Sequence, residues 1–265
     1  MWYRYGLSHR AFTNAAGRSL DRLFSKLAQP AIKVTGLSFD DLMLARHRGI
    51  DDALTQAIDT GHVTQVIELA AGLSPRGWRM TKKYGESILY VETDLPHMIT
   101  RKETLLDRNR LRGPRHSVQA INVLSASGAD SLAALFDSLD PTQGVAIISE
   151  GLLNYLDDQQ LMFALNNIAN VLQTHEHNIF LADYYLNDEI KGVITTTFLA
   201  MLKTFVRGHV SIHDANVEMA TRRLKQCGFT KVTLPTADTL PSNKTLNGSI
   251  GARKVHILQA SAHKT

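Results

Sequence analysis

The sequence contains a single cysteine, Cys227, so no intrachain disulfide can form. A chain of 265 residues does not need one, because a domain of this size buries most of its apolar surface. Such low cysteine use is typical of proteins of the reducing cytosol. No second cysteine or paired histidine accompanies Cys227, so we interpret it as a small buried apolar residue and expect no metal site.

Long apolar runs are missing as well. No run approaches the roughly 18 residues that a membrane span requires. The aromatic and basic N-terminus is not followed by the uniform apolar stretch of a secretory signal. These absences predict a cytoplasmic protein without a membrane partner.

The sequence has little excess charge of either sign, with 29 Lys and Arg against 25 Asp and Glu. The basic excess is concentrated in one stretch, which holds Arg101, Lys102, Arg108, Arg110, Arg112 and Arg115. A surface that binds nucleic acid would interleave aromatic residues for base stacking, and this stretch has none. We interpret it as a solvated helix face and loop, and we do not expect a nucleic-acid partner.

Apolar clusters with strand composition alternate with segments of helical periodicity. The strand candidates are Val66–Leu69, Ile88–Val91, Ser117–Val123, Val145–Ser149, Asn178–Ala182, Thr230–Leu234 and Lys254–Leu258. Several of them are continuously apolar, as parallel strands covered on both faces are. Amphipathic helices are predicted over Leu132–Leu139, Gln159–Leu172 and Asn216–Gln226. This alternation predicts an α/β protein with a doubly wound sheet of about seven strands.

Two regions outside the alternation are predicted to be helical caps. Residues 1–60 precede the first strand and carry apolar residues at helical spacing, namely Leu20, Leu23, Phe24 and Leu27. Residues 186–227 separate the fifth and sixth strands and are longer than a usual crossover. We therefore predict an N-terminal cap over residues 1–60 and a core over residues 61–265, with a cap insertion over residues 186–227.

The segment from Val66 to Gly77 is the most informative about a ligand. A buried strand enters a turn of small residues and then a helix, for which Ser74 is a good N-cap and Pro75 suits the first position. Ligands of open α/β sheets bind at the carboxyl ends of the strands. A small residue such as Gly72 lets a ligand approach the backbone closely.

The turn lacks the glycines that hold a pyrophosphate. There is no Gly-Lys-Ser/Thr of a P-loop, and Ala70, Gly72 and Pro75 fill the three glycine positions of the dinucleotide fingerprint. Glu92 and Asp94 close the next strand, where an acid can accept both ribose hydroxyls of an adenosine. A ribose site without a pyrophosphate loop favours S-adenosylmethionine, whose sulfonium and ammonium groups suit a carboxylate-lined site.

Three segments resemble the leucine carboxyl methyltransferase family in order and spacing. They are Glu68-Leu-Ala-Ala-Gly-Leu-Ser-Pro-Arg76, Glu92-Thr-Asp-Leu-Pro96 and Glu150-Gly-Leu-Leu-Asn-Tyr-Leu156, and the resemblance spans roughly residues 40 to 185. This family contains protein-phosphatase carboxyl methyltransferases and tetracenomycin-type polyketide O-methyltransferases, and it is a branch of the class I S-adenosylmethionine-dependent methyltransferases. The resemblance implies the Rossmann-like class I methyltransferase sheet, S-adenosylmethionine as cofactor and S-adenosylhomocysteine as product.

The resemblance also implies a set of cofactor-binding residues: Arg46, Glu68, Gly72, Asp94, Asn122, Val123 and Glu150. Arg46 falls where the family has an arginine for the methionine carboxylate, and Gly72 falls beside the methionine moiety. Asp94 falls on the acid that holds the ribose, and Glu150 lies near the methionine end. Asn122 replaces an aspartate that faces the adenine amino group, and its side-chain carbonyl could still accept that hydrogen bond.

Two of these residues have simpler explanations. Arg46 could pair with Asp40 or Asp41 on its own segment. Glu68 could hydrogen-bond only to local backbone instead of receiving the cofactor's ammonium group.

The expected acceptor is a small molecule, and its nucleophile decides whether a base is required. A carboxylate needs none, whereas a hydroxyl needs a general base. The candidates for catalysis are Tyr155, Tyr184, His209 and His213, although Tyr155 could instead pack beneath the cap. The sequence has no Asn/Asp-Pro-Pro-Tyr/Phe segment of the amino-methyltransferases, which favours O-methylation. A protein carboxyl methyltransferase, a nicotinamide-dependent oxidoreductase and a non-catalytic S-adenosylmethionine-binding protein remain alternatives.

Overall fold

A seven-stranded sheet forms the centre of the described chain, in the order β3-β2-β1-β4-β5-β7-β6. The structure is a computed structural model that describes residues 2–13, 38–190 and 210–263. The strands are β1 (Gln65–Leu69), β2 (Leu89–Asp94), β3 (His116–Ala120), β4 (Val145–Ser149), β5 (Asn178–Tyr184), β6 (Lys231–Thr233) and β7 (His256–Ser261). The predicted α/β sheet of about seven strands is confirmed.

One strand departs from the parallel arrangement that the apolar pattern favours. The strands β1 to β5 pair in parallel, whereas β7 runs antiparallel to both β5 and β6. Because β7 lies between two neighbours and is nearly fully buried, its composition matches that of a central parallel strand. Strand direction therefore left no mark in the sequence pattern.

Helices cover both faces of the sheet. Those in the described ranges are α1 (Phe39–Asp59), α2 (Arg76–Tyr84), α3 (Pro96–Arg108), α4 (Leu132–Phe136), α5 (Asp158–Leu172), α6 (Val217–Gln226) and α7 (Ile250–Arg253). Helix α1 places Ile50 and Leu54 against one face, in a cluster with Leu181 of β5. Helices α4, α5 and α6 cover the other face. None of these described helices combines the length and the apolar character that crossing a bilayer requires.

Helix α1 approaches the sheet closely because it carries a glycine at the contact. A Cβ built on Gly49 would lie 2.7 Å from Cγ1 of Ile257 in β7. That distance is too short for any side chain, so Gly49 allows α1 to lie directly on the strand. This contact fixes the helix that supplies Arg46 to the site.

The two predicted caps are only partly described. Residues 2–13 form turns and one short 3-10 turn, Arg10–Phe12, rather than a helix. The residues that carried the helical spacing, Leu20, Leu23, Phe24 and Leu27, lie outside the described residues, as does the stretch 191–209. The division into caps and core therefore stays a prediction.

Several predicted boundaries are wrong by a few residues, and each has a local cause. Strand β3 ends at Ala120 rather than Val123, because the Asn122 side chain accepts a hydrogen bond from the Leu124 backbone at 3.0 Å. The last strand starts at His256 rather than Lys254, because α7 and its C-cap occupy the preceding residues.

The basic stretch behaves as predicted with one exception. Its arginines are exposed, as a solvated face requires. Lys102 is instead only 1% exposed, because its ammonium group pairs with the buried carboxylate of Glu92.

The buried side-chain amide of Asn178, at the start of β5, links this strand to the residue that follows β7. Asn178 Nδ2 donates to the carbonyl oxygens of His175 at 2.9 Å and Ala262 at 2.8 Å, and its Oδ1 accepts from Ala262 N at 2.9 Å. Replacement by alanine would leave these buried backbone groups without partners.

We predict that Asn178→Ala lowers the free energy of unfolding by about 2–4 kcal/mol, since three hydrogen bonds are lost and their backbone partners stay buried. Urea denaturation followed by circular dichroism measures the change. The matched control is Asn109→Ala, because Asn109 makes one exposed hydrogen bond to Leu105 O at the end of α3. Equal effects for the two variants would contradict the role of Asn178.

Candidate functional site

The carboxyl ends of β1, β2 and β4 bring together residues that are far apart in the sequence. Gly72 follows β1, Asp94 ends β2 and Glu150 follows β4. A cavity of about 250 Å³ lies at this edge, lined by Trp2, Arg46, His47, Glu68, Ala70, Ala71, Leu73, Ser74 and Glu150. The cavity at the carboxyl ends of these strands is therefore lined by both an arginine and carboxylates.

A fully buried arginine joins three of the surrounding elements. Arg76, at the start of α2, is 0% exposed. Its Nε donates to Asp51 Oδ1 of α1 at 2.7 Å, its Nη1 to Glu68 Oε1 of β1 at 2.6 Å, and its Nη2 to Glu150 Oε2. Burial lowers the pKa of Arg76, but these carboxylates outweigh burial and hold the pKa well above its usual value. Arg76 therefore stays charged and fixes the carboxylates beneath the cavity.

Three basic side chains converge on Glu150. Its Oε1 accepts from Arg46 Nε at 3.0 Å, and its Oε2 lies 2.8 Å from His47 Nδ1 besides contacting Arg76. Burial raises the pKa of Glu150, but the charges of these neighbours outweigh it and hold the pKa well below the ordinary value. Glu150 is thus ionised, and one lone pair of Oε1 remains to accept a further donor.

Arg46 pairs across the site rather than within its own helix. Besides Glu150, its guanidinium lies 3.4 Å from Asp183 Oδ2 at the end of β5. The alternative partners have other contacts: Asp40 pairs with Arg4 at 3.1 Å, and Asp41 accepts from Ser249. Burial lowers the pKa of Arg46, but the charges of Asp183 and Glu150 raise this pKa by more than burial lowers it. The guanidinium therefore remains a cation.

The loop between β1 and α2 turns sharply and is tied to β2. Ala70 and Gly72 have positive φ angles of 49° and 53°. Gly72 N donates to Asp94 Oδ2 at 2.7 Å, and Leu95 N donates to Asp94 Oδ1 at 2.7 Å. Each oxygen of Asp94 therefore spends one lone pair on the backbone and retains another for a ligand.

Helix α2 begins one residue later than predicted. Its first residue is Arg76 and Pro75 is the N-cap. Ser74 is not the N-cap, but its Oγ accepts from Arg76 N at 3.2 Å and so satisfies the first backbone N–H of the helix. The shift places the Arg76 guanidinium at the first turn.

Asn122 and Val123 lie after β3, at the same edge of the sheet but two strands from β1. The side-chain carbonyl of Asn122 already accepts from Leu124 N and has a second lone pair. The carbonyl oxygen of Val123 accepts from Asn167 Nδ2 at 3.2 Å. Like Gly72 and Asp94, neither residue lines the cavity around Arg46.

None of the described candidates for catalysis lines the cavity around Arg46, and Tyr184 and His213 lie together in a separate small pocket. The Tyr184 hydroxyl donates to Asp214 Oδ2 at 2.5 Å on the far face of the sheet, and Tyr184 is only 4% exposed. The ring nitrogens of His213 face Asp158 Oδ1 at 3.0 Å and Leu153 O at 3.2 Å. Both side chains are therefore engaged away from the cavity. His209 lies outside the described residues.

Tyr155 alone of the described candidates lies within electrostatic range of Arg46 and Asp183. Burial raises the pKa of the Tyr155 hydroxyl above its ordinary value. The charge of Arg46 acts to lower this pKa, and the charge of Asp183 acts to raise it. Tyr155 is 38% exposed. Residues 191–209 of the predicted cap lie outside the described residues, so packing of Tyr155 beneath the cap stays a prediction.

Sequence reasoning missed several residues of the site, including His47, which lines the cavity and contacts Glu150. Arg76 and Asp183 are buried and Asp51 is largely buried, and their charged partners lie on other elements. Trp2 stacks on His47 with ring centroids 4.4 Å apart and lines the cavity. Two features of the sequence could have indicated them: Arg76 ends the first motif, and Trp2 is an aromatic residue near the N-terminus.

Comparison with known proteins identifies the family. Residues 8–169 match the sequence profile of the leucine carboxyl methyltransferases, which is more than half of the chain. The chain belongs to the leucine carboxyl methyltransferase family.

The sequence relatives carry provisional names as S-adenosyl-L-methionine-dependent methyltransferases. A protein of Mycobacterium marinum is 33% identical over 168 residues, which cover 58% of this chain and 51% of that protein. One of Frankia alni is 33% identical over 170 residues, which cover 62% and 56%. The chain therefore spans about half the length of the curated relatives it matches.

Solved structures share the fold at low identity. A protein from Thermobifida fusca YX, provisionally named a methyltransferase, has a TM-score of 0.65 and 12% identity, over 96% of this chain and 93% of that one. Human N-acetylserotonin methyltransferase in complex with S-adenosylmethionine has a TM-score of 0.52 and 14% identity, over 81% and 52%. The sheet of this family member is the class I methyltransferase sheet.

The depressed pKa of Glu150 predicts a pH dependence of stability. Its ionised interactions stabilise the fold above the ordinary glutamate pKa and are lost as the pH falls through the lower folded pKa. We expect the free energy of unfolding to fall between about pH 5 and pH 3. In Glu150→Gln its slope against pH should be smaller, by at most ~1.4 kcal/mol per pH unit. Urea denaturation across this range measures both slopes. Glu86→Gln, an exposed control, should retain the parent slope, and a parent slope in Glu150→Gln would contradict the assignment.

Proposed function

We propose that the chain is an S-adenosylmethionine-dependent O-methyltransferase that transfers a methyl group to a carboxylate or hydroxyl oxygen of a small molecule. The observation that carries the proposal is the convergence of Arg46, Glu150, Gly72 and Asp94 on one edge of the sheet. Membership of the leucine carboxyl methyltransferase family supports the reaction class.

The residues fit S-adenosylmethionine by their chemistry. Arg46 offers a guanidinium for the carboxylate of the methionine moiety, and Glu150 retains a lone pair for its ammonium group. Asp94 retains a lone pair on each oxygen for the two ribose hydroxyls. The loop around Gly72 presents small residues, as close approach of a ligand to the backbone requires.

When bound, the cofactor supplies an electrophilic methyl group, which passes to the acceptor oxygen as the methyl–sulfur bond breaks. The residues of the chain hold and orient the reactants for in-line displacement. Arg46 and Glu150 fix the methionine end, and Asp94 fixes the ribose. Arg76 contacts Glu150 and Glu68 and holds both carboxylates in place.

The described site favours a carboxylate acceptor, which requires no proton removal. The hydroxyl of Tyr184 and both ring nitrogens of His213 are engaged elsewhere. His47 lines the cavity, but its nitrogens face Glu150 at 2.8 Å and Arg79 at 2.6 Å. For a hydroxyl acceptor, Tyr155 would be the candidate base among the described residues.

Three alternatives are distinguished by one pair of measurements. Calorimetry with S-adenosylmethionine and NADH separates the methyltransferase from a nicotinamide-dependent oxidoreductase. Release of S-adenosylhomocysteine with a panel of small carboxylic acids, phenols and carboxyl-terminal peptides separates a small-molecule enzyme from a protein carboxyl methyltransferase. Binding without release on any acceptor would indicate a non-catalytic binding protein.

We predict that Arg46→Lys and Asp94→Asn each weaken the affinity for S-adenosylhomocysteine at least tenfold. Lysine retains the charge but loses the paired donors of the guanidinium, and asparagine replaces a carboxylate acceptor with an amide. Hydrogen bonds to charged groups are worth about 1.5–3 kcal/mol, which corresponds to tenfold or more. Isothermal titration calorimetry measures the affinity.

The matched controls are Arg48→Lys, half-buried on the same helix but bonded to Ser242 O at 3.5 Å and absent from the cavity lining, and Asp137→Asn, at the exposed end of α4. Both should bind like the parent, and circular dichroism should show every variant folded. Parent-like affinity in folded Arg46→Lys and Asp94→Asn would overturn these two assignments. A parent chain that binds NADH but neither S-adenosyl compound would overturn the function itself.

A further inference from the structure

A buried lysine outside the predicted site holds the loop that passes the cofactor. Lys102 lies on α3 and is 1% exposed. Its Nζ donates to Ser74 O at 2.6 Å and lies 3.4 Å from Gly72 O, both in the loop between β1 and α2. The same group pairs with Glu92 of β2. An ammonium group thus bridges a strand, a helix and the loop.

The carboxylate that neutralises Lys102 is itself fixed. Glu92 is 1% exposed, and its Oε1 lies 3.2 Å from His116 Nε2 of β3. A Cβ built on Gly77 would lie 2.0 Å from the same oxygen, so α2 packs directly against this carboxylate. Burial raises the pKa of Glu92, but the Lys102 charge and the His116 hydrogen bond lower this pKa by more than burial raises it. Glu92 therefore remains an anion at neutral pH.

The backbone of Gly72 is held from both sides. Its N–H donates to Asp94 at 2.7 Å, and its carbonyl oxygen faces Lys102 at 3.4 Å. Gly72 has φ 53°, a conformation that glycine adopts freely but does not retain unless its neighbours impose it. Lys102 and Asp94 together impose this turn.

A buried ion pair is weak evidence for a role in stability, because the desolvation of both charges offsets their attraction. A well-packed apolar pair would serve stability equally well. An apolar pair could not, however, donate hydrogen bonds to the loop carbonyls. The specific contribution of Lys102 is therefore the shape of the loop.

We propose that Lys102 is a positioning residue for the cofactor: by holding the carbonyl groups of Gly72 and Ser74, it keeps the loop between β1 and α2 in the conformation that receives the cofactor beside Asp94. The proposal rests on the proposed function. Lys102 acts through the backbone and touches neither the cofactor nor the reacting atoms.

The test separates loop positioning from stability by pairing two substitutions. Lys102→Met alone leaves the Glu92 carboxylate buried without its cation, so it lowers the urea midpoint. The double variant Lys102→Met/Glu92→Gln removes both charges and recovers most of that midpoint. Glu92→Gln alone leaves the Lys102 ammonium without its anion and therefore also lowers the urea midpoint, but it retains the lysine and its bonds to the loop.

Two readouts are measured on each folded variant. Calorimetry gives the affinity for S-adenosylhomocysteine, and hydrogen exchange of the ligand-free chain gives the protection of residues 70–76. We expect the double variant to bind at least tenfold more weakly than the parent and to exchange faster over residues 70–76. Glu92→Gln should bind within threefold of the parent and keep the parent's protection there.

Each other outcome overturns the inference. A double variant that binds like the parent, or one whose loop protection is unchanged, shows that Lys102 does not position the loop. An equal loss in Glu92→Gln assigns the effect to the carboxylate. A parent chain that binds no S-adenosylhomocysteine defeats the proposed function first and this inference with it, whereas binding by the parent alone leaves the function intact whatever the variants do.

Discussion

The contact of Arg76 with three carboxylates is the interaction on which the rest of the site depends. A buried guanidinium is costly unless its donors are satisfied, and here Asp51, Glu68 and Glu150 satisfy it from three different elements. Helix α1, strand β1 and the turn after β4 can therefore adopt only positions that keep these distances. This arrangement also fixes the position of Arg46, because Arg46 lies on α1 and bonds to the same Glu150.

A second buried pair complements the first from the other side of the loop. Lys102 and Glu92 lie beneath the loop carbonyls, whereas Arg76 anchors the helix into which the loop runs. The loop carries no glycine-rich fingerprint, and its positive φ angles fall on Ala70 and Gly72. Its conformation is thus imposed by charged side chains below it, where other nucleotide-binding loops rely on several glycines.

The sequence predicted the sheet better than the site, for physical reasons. Strands such as β4 are buried along their whole length and leave a continuous apolar signature. Arg76 and Lys102 left none, because charged residues are usually exposed and their partners lie on separate elements. Family resemblance identified Arg46, Asp94 and Glu150 by position, and the geometry supplied their partners. Strand alternation places Tyr184 on the face opposite that of Asp183, where its hydroxyl bonds to Asp214.

The turn after Glu150 is held by different interactions at its two ends. Asn154 and Ser211 exchange hydrogen bonds, with Asn154 Nδ2 donating to Ser211 O at 2.7 Å and Ser211 N donating to Asn154 O at 2.8 Å. This backbone-dominated contact joins the turn after Glu150 to the segment that returns from residues 191–209. Backbone contacts constrain side-chain identity far less than buried ion pairs do. Side-chain identity is therefore less constrained at Ser211, whose contacts with Asn154 use only its backbone atoms, than at Glu150, whose carboxylate pairs with Arg46 and Arg76.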